Sequence, residues 1–239
     1  MRVVHNFAVN SAIFRRGQAW SPNQLFDGGL QGAWYDPSDV ASLFQDTAGT
    51  VPVTTDGDPV ALIMDKSGNG NHAMQTDLSR RPTWRQGGGL CWLEFDGTDD
   101  RLRISAYTYA QSTLTICAGI EYGATDWGAI KSAADSARYA GWSHPTTDGA
   151  TSFPAAPISV NGVPIADSRI ALRNATLMPA VVTIEGVTAS RFDGLDCRIV
   201  TYRTTTPPTS NFFGYIEVEG GGDVSQMQTW IAAKTGVSI

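Results

Sequence analysis

The sequence predicts an all-β protein, an antiparallel two-sheet β-sandwich with a short helix near the N-terminal side and a second helix at the C-terminus. Charged residues make up only 17% of the chain, and 25 glycines and 12 prolines supply many turns. Such a composition favours short strands over long helices. Runs in which apolar and polar residues alternate recur along the chain, as in strands with one buried face. A length of 239 residues suits one large sandwich domain, which we place at residues 31–239.

Residues 1–30 differ in pattern from the rest of the chain. Residues 3–9 can form one strand, and the arginines at 15 and 16 followed by a glycine end it. The segment is too short to fold alone. It is either a first strand and loop packed on the main domain, or an arm that attaches the chain to another subunit.

The first helix is predicted shortly after this segment. Asp36 or Ser38 can accept hydrogen bonds at a helix N-terminus. Val40, Leu43 and Phe44 follow at the i, i+3 and i+4 positions of an apolar stripe. The sequence therefore predicts a short helix at this point.

Most of the remaining chain is predicted to form short strands. Two lie within residues 51–65 about an Asp-Gly turn, and others fall at 91–95, 102–104, 114–121, 158–160, 163–165, 169–173, 180–185, 196–201 and 212–219. At 102–104, Leu102 and Ile104 alternate with Arg101 and Arg103. The strand at 114–121 is expected to keep one face in water.

The strand at 212–219 alternates throughout its length. Its pattern places Phe212, Gly214, Ile216 and Val218 on one face and Phe213, Tyr215, Glu217 and Glu219 on the other. An Asn-Gly pair at 161–162 predicts a tight hairpin between the strands at 158–160 and 163–165.

The C-terminal helix has the clearest boundaries. Asp223 and Gln226 form an N-terminal capping box, and Gly236 provides the C-terminal stop. The apolar stripe of this helix consists of Val224, Met227, Trp230 and Ile231. Residues 237–239 are predicted to add a last short strand.

Composition also argues against several kinds of protein. The net charge is −6 and no basic run exceeds two residues, so we expect no nucleic-acid partner. Cys91, Cys117 and Cys197 form no C-x-x-C pair and are expected to be buried free thiols, as in a protein made in a reducing cytoplasm. No signal peptide and no stretch of ~18 apolar residues is found, so we expect no membrane insertion.

The segment from Asp65 to Leu102 contains the most position-specific turn residues. It includes D-K-S-G-N-G-N-H-A and, further on, G-G-G-L-C-W-L-E-F-D-G-T-D-D-R-L. These motifs resemble concanavalin A-like, laminin-G-like jelly-roll domains, in which a D-x-S-G-x-x-N-H turn precedes a strand ending in F-D-G-x-D-D. The resemblance runs from about residue 32 to residue 239 and implies a jelly roll, a fold whose members mostly bind glycans or assemble into particles.

A narrower resemblance involves the residues before this segment. G-A-W-Y-D-P-S-D-V-A-S-L-F-Q-D-T-A-G-T-V-P-V, followed by V-A-L-I-M-D-K-S-G-N-G-N-H-A, is similar to modules of tailed-phage and prophage virion proteins. The resemblance implies a particle component rather than a particular chemical reaction.

A calcium site is the first of three candidate sites. Calcium binds six to eight oxygen ligands, often carboxylates from turns. Asp65, Asp96, Asp99 and Asp100 lie on two turns that a sandwich can bring together. The alternative is that each carboxylate caps its own turn.

A pair of catalytic carboxylates is the second candidate. Glu94, Asp96 and Asp99 approximate the E-x-D-x-x-E pattern of sandwich glucanases, in which two carboxylates flank a glycosidic bond. Here the third position is an aspartate, and a glycine breaks the strand. A turn therefore explains the same residues better, and we expect no enzyme.

A glycan or partner surface is the third candidate. Trp127, Tyr139, Trp142 and His144 fall in the most polar and least regular part of the chain, where aromatic side chains are less certain to be core residues. The sequence thus leaves three hypotheses for function. The first is an exterior virion protein, a tail, fibre, spike or decoration component that contacts host polysaccharide, other virion subunits or copies of itself. The second is a glucanase, and the third is a structural subunit without a ligand.

Overall fold

The computed structural model describes residues 19–123, 128–133, 138–143, 156–200 and 209–239, and only the backbone of residues 142 and 143. Over these ranges the chain forms two antiparallel sheets with two α-helices, which confirms the predicted β-sandwich. The first sheet has eight strands and the second has seven.

The first sheet is built around its longest strand. In spatial order its strands are β12 (Val163–Ile165), β11 (Ile158–Val160), β13 (Ala180–Thr188), β8 (Thr113–Tyr122), β15 (Thr209–Glu219), β6 (Leu90–Asp96) and β5 (Thr83–Gly87). The eighth strand, β1 (Gly32–Tyr35), pairs with the second half of β15, while β6 pairs with the first half. Strand β15 therefore organises the sheet.

The second sheet consists mostly of shorter strands. In spatial order they are β10 (Tyr139–Ser143), β9 (Gly128–Ala133), β14 (Cys197–Ile199), β7 (Leu102–Ile104), β4 (Ala73–Met74), β3 (Leu62–Ile63) and β2 (Leu43–Phe44). Its inward side chains, such as Leu102, Ile104 and Ile130, are fully buried against the first sheet. The main core thus lies between the two sheets.

The second α-helix, α2 (Val224–Thr235), covers the outer face of the first sheet. Met227 and Ile231 pack there against Cys117, Val181 and Ile216. Strand β8 is therefore buried on both faces, and the expectation of a solvated face was wrong. A sequence pattern cannot show that a distant helix covers a strand.

The helix approaches the sheet closely because the sheet has a glycine beneath it. A Cβ atom at Gly119 would lie 2.8 Å from the side chain of Thr235. Residues 19–30 also join this layer, since Phe26 is buried in the same cluster and Trp20 and Leu25 pack against it. Part of the predicted N-terminal arm therefore packs on the sandwich.

The helix predicted at Val40, Leu43 and Phe44 is not formed. Val40–Ser42 makes a single 3-10 turn, and the chain continues as β2. The Asp36 carboxylate accepts from the Ser38 amide at 3.1 Å and forms an ion pair with Lys234 at 3.1 Å, so it closes its own turn and anchors α2.

Three further expectations need correction. Residues 169–173, predicted as a strand, lie in helix α1 (Arg169–Ala175), whose N-terminus is capped by the Ser168 hydroxyl. Residues 237–239 form no strand. A register shift between Phe212 and Gly214 turns Phe212 into the inter-sheet core, so the alternation predicted for residues 212–219 fails at Phe212.

Several other local predictions are confirmed. Asn161 and Gly162 both have positive φ (52° and 76°) in the tight turn between β11 and β12. Asp223 caps α2 by accepting from the Gln226 amide, and Gly236 ends it in the left-handed conformation. The three cysteines are free, as expected, and Cys117 and Cys197 are buried; Cys91 is only half-buried, so the expectation of burial was wrong for that residue.

Candidate functional site

The turn that opens the Asp65–Leu102 segment is organised by the Asp65 carboxylate. One oxygen accepts from the amides of Trp34 and Ser67, both at 2.9 Å. The other accepts from the Ser67 hydroxyl at 2.7 Å and the Asn71 amide at 2.9 Å. Asp65 is only 7% exposed. Both oxygens are therefore occupied by donors of the protein itself.

The asparagines and the histidine of this turn have structural partners as well. The amide groups of Asn69 and Asn71 donate to the Gly32 carbonyl at 3.2 and 2.7 Å. His72 Nδ1 accepts from the Asp65 amide at 3.0 Å. These contacts tie the turn to strand β1, which the first sheet holds through β15.

Asp96, Asp99 and Asp100 lie together on the turn after β6, and Asp65 is not among them. One carboxylate oxygen from each lies within 4.8 Å of the others. Asp96 Oδ1 caps the turn by accepting from the Thr98 amide at 2.8 Å, and Asp99 Oδ2 accepts from Arg80 Nε at 3.2 Å. The predicted four-residue set is thus reduced to three carboxylates that are close enough to share a cation.

Asp100 is the buried member of this group, with 5% of its surface exposed. Burial raises its pKa to about 7, and the negative charges of Asp96, Asp99 and Glu94 act in the same direction, against a hydrogen bond from the Asp96 amide that lowers the pKa. Its carboxyl group therefore binds a proton more tightly in the folded chain than in the unfolded chain.

Replacing Asp100 with asparagine is expected to stabilise the protein in the absence of divalent cations. The raised pKa means that Asp100 stabilises the fold when protonated and that this contribution is lost as the pH rises toward about 7. The asparagine side chain remains neutral and its carbonyl oxygen can still accept from the Asp96 amide. At about pH 8 we expect a gain of about 1–3 kcal/mol in the free energy of unfolding, which disappears near pH 4.

Urea unfolding in EDTA measures this gain, and calcium supplies a second comparison. If the three carboxylates hold calcium, millimolar calcium stabilises the native chain more than it stabilises the Asp100→Asn variant. The native chain then becomes the more stable of the two. Asp100→Asn less stable than the native chain in EDTA at pH 8 would contradict the burial argument.

Glu94, the first residue of the glucanase-like pattern, lies on β6 with its side chain half-exposed. Its Oε2 accepts from Arg85 Nε at 2.5 Å, across the pair of strands β5 and β6. Asp96 caps its own turn. The glycine that follows is at φ 78°, where a Cβ atom would meet the Thr209 hydroxyl at 2.4 Å. The residues are thus accounted for by a turn and an ion pair.

The predicted aromatic surface is only partly described. Trp127 and His144 lie outside the described residues, and for Trp142 only the backbone is described. Tyr139 lies on β10 next to the buried Ala140, and its hydroxyl accepts from Arg169 at 3.5 Å. The proposed grouping of these four side chains stays a prediction.

An interior charged cluster was not expected from the sequence. Lys131 on β9 and Glu217 on β15 face each other between the sheets, and both side chains are 0% exposed. Lys131 Nζ lies 2.8 and 2.7 Å from the two carboxylate oxygens of Glu217. Three tyrosine hydroxyls also donate to this carboxylate, those of Tyr107, Tyr109 and Tyr215.

The cluster is electrostatically self-contained. Burial alone raises the pKa of Glu217, but the Lys131 ammonium and the hydrogen bonds lower it below its ordinary value of 4.5. The Lys131 ammonium also lies 4.9 Å from the ring centre of Phe192. The only sequence signal for this cluster is a charged residue inside each of two largely apolar strands.

A groove of about 470 Å³ runs along the outer face of the second sheet. Arg80, Arg101 and Arg103 line it together with polar residues. The alternation of Arg101 and Arg103 with the buried Leu102 and Ile104 predicts outward guanidinium groups, and the structure confirms this placement. No pattern in the sequence indicated that Arg80 would lie beside them.

Comparisons with known proteins return nothing. No family model, no curated protein and no solved structure matches the chain. Neither helix in the described part of the chain has the length and apolar composition needed to span a membrane.

Proposed function

We propose that this chain is an exterior structural component of a tailed-phage or prophage-like particle. In this proposal the sandwich faces outward and contacts host-surface polysaccharide, other virion subunits or further copies of itself. The protein is made in the bacterial cytoplasm and acts in the virion. The proposal rests on the resemblance to phage modules.

One structural observation supports the proposal most. The residues that carry the resemblance, from Asp65 to His72, form a closed turn whose polar groups bond to one another and to β1. Such a turn stabilises a scaffold and does not present a reactive group. This arrangement fits a structural protein that acts by binding other molecules at its surface.

No observation in the described residues favours the glucanase alternative as a second proposal. Glu94, which that reaction needs as an acid or a nucleophile, is held by Arg85 at 2.5 Å. A structural subunit without a ligand is the remaining alternative, and binding experiments separate it from the proposal.

The attachment role is proposed for the N-terminal segment. Because residues 19–30 pack against α2, deletion of residues 1–18 removes none of that packing. We expect this deletion to leave the melting temperature within about 3 °C and to abolish assembly into particles. Deletion of residues 1–30 is the contrasting variant, because it also removes the buried Phe26 and destabilises the domain.

Particle assembly is measured by sedimenting induced host lysates through a density gradient and detecting the chain by mass spectrometry. The native chain is expected in the particle band, and the 1–18 deletion is expected only in the soluble fractions. Normal entry of the folded deletion variant into particles would show that the segment is not the attachment arm.

A further inference from the structure

The groove on the second sheet is lined by three arginines, and two of them have carboxylate partners. Arg80 pairs with Asp77 at 3.3 Å and Asp99 at 3.2 Å, and Arg103 pairs with Asp196 at 3.1 Å. Within the described ranges, the guanidinium of Arg101 forms no hydrogen bond or ion pair. The guanidinium of Arg101 therefore has donors available for a ligand, whereas the guanidinium groups of Arg80 and Arg103 are already paired.

The position of Arg101 is held by the fold. The Arg101 amide donates to the Arg80 carbonyl at 3.1 Å, and its carbonyl accepts from the Gln75 side chain at 3.0 Å. On its other side the chain enters β7, where Leu102 is fully buried. The guanidinium therefore starts from a rigid backbone, so little ordering is needed when it binds a ligand.

The electrostatics favour an anion at this point. Partial burial lowers the pKa of Arg101, and repulsion by Arg80 and Arg103 acts in the same direction, while the negative charges of Asp99 and Asp77 act against it. An anion seated on Arg101 would relieve that repulsion. Guanidinium groups bind carboxylates in a bidentate manner, with two parallel hydrogen bonds.

The rest of the groove suits sugar hydroxyls. Thr76 and Ser105 offer hydroxyl groups, and Asp77 and Asp196 offer carboxylate acceptors. A volume of about 470 Å³ is within the usual range for small-ligand sites, about 300–1,000 Å³, and exceeds what one inorganic anion fills.

We infer that this groove binds an acidic oligosaccharide, with a uronate carboxylate on Arg101 and neighbouring hydroxyls on the polar residues around it. The inference deepens the proposed function by naming the class of host glycan. Only the origin of the sugar, the host surface, rests on the proposed function. Binding itself is tested with the isolated protein.

Calorimetric titration with trigalacturonate tests this inference, with maltotriose as the neutral trimer and sodium phosphate as the inorganic anion. We expect binding of the uronate trimer alone, with an affinity that falls as salt is added. Arg101→Gln is expected to weaken binding at least about tenfold, and Arg101→Lys to retain part of it because the charge remains without the fork.

Arg85→Gln is the matched control, since it removes the same charge from a half-exposed arginine that lies outside the groove. It is expected to change the affinity less than about twofold. Melting curves verify that each variant is folded. Equal binding of maltotriose or of phosphate, or unchanged binding by Arg101→Gln, would overturn the inference. None of these results bears on the proposed function, because that proposal is tested by whether the chain is found in particles.

Discussion

Replacing Glu217 with glutamine is expected to lower the free energy of unfolding by about 3–5 kcal/mol at neutral pH. The substitution keeps the shape of the side chain but leaves the Lys131 ammonium, which is 0% exposed, without its counter-ion. The protein then either buries an unpaired charge or deprotonates the lysine, and both cost free energy. Urea unfolding at neutral pH measures the loss.

The double variant Lys131→Met/Glu217→Gln separates the charge from the packing. It removes both charges, retains an acceptor for the tyrosine hydroxyls and is expected to recover most of the loss. Glu94→Gln is the control for a half-exposed ion pair and is expected to cost less than about 1 kcal/mol. A loss at Glu217 no larger than at Glu94 would contradict the buried pair.

The stabilising effect of the pair also depends on pH. The pKa of Glu217 is lowered in the folded chain. Its stabilisation is therefore present above the unfolded carboxyl value of 4.5 and is lost as the pH falls through the lower folded value. The difference between the native chain and Glu217→Gln should shrink as the solution is acidified into that window.

Replacing Asp65 with alanine is the second large change, with an expected loss of about 3 kcal/mol. Four hydrogen bonds end on this carboxylate, from two groups of Ser67 and from the amides of Trp34 and Asn71. Because Asp65 is 7% exposed, water cannot readily replace it. The same loss is expected in EDTA and in calcium, since both oxygens already have partners.

Asp46→Ala provides a closely matched control for this prediction. Asp46 also accepts from two amides and one hydroxyl, those of Thr50 and Val51, but it does so on the surface. Its removal is expected to cost much less than the removal of Asp65. A loss at Asp65 that appears only when calcium is present would assign this residue to a metal site instead of to the turn.

The features predicted correctly from the sequence are those that depend on neighbouring residues. The Asn161-Gly162 hairpin and the capped C-terminal helix follow from backbone conformations that few residue types allow. Helix α1 was missed although it has a local signal: Ser168 precedes it and caps it by accepting from the Ala171 amide. Ile170 and Leu172 alternate with Arg169, Ala171 and Arg173, a pattern that also fits a strand.

The features that were missed depend on distant parts of the chain. Glu217 and Lys131 are 86 residues apart in sequence, and β9 and β15 lie in different sheets. The alternation along β15 placed Glu217 on the same face as Tyr215, as the structure does, but a strand pattern does not reveal which face is interior. Helix α2 covers the opposite face of β15, so both faces of this strand are buried and neither could be identified as the solvent-facing one.

In the candidate site, too, the contacts between neighbouring residues were predicted and those between distant residues were not. The acidic turn was predicted as a unit, and the structure brings Asp96, Asp99 and Asp100 together. Asp65 belongs to another turn, and the groove around Arg101 forms only because Arg80, which lies before β5, is placed beside β7. Local sequence could indicate outward arginines at 101 and 103 but not the neighbour that makes them a groove.

Gold-labelled antibodies raised against the purified chain, applied to purified intact particles and viewed by electron microscopy, test the proposed function most directly. We predict label at a fixed position on the exterior of the particles. Particles that carry no label and lack the chain by mass spectrometry, while the chain remains in the soluble fraction, would contradict the proposal.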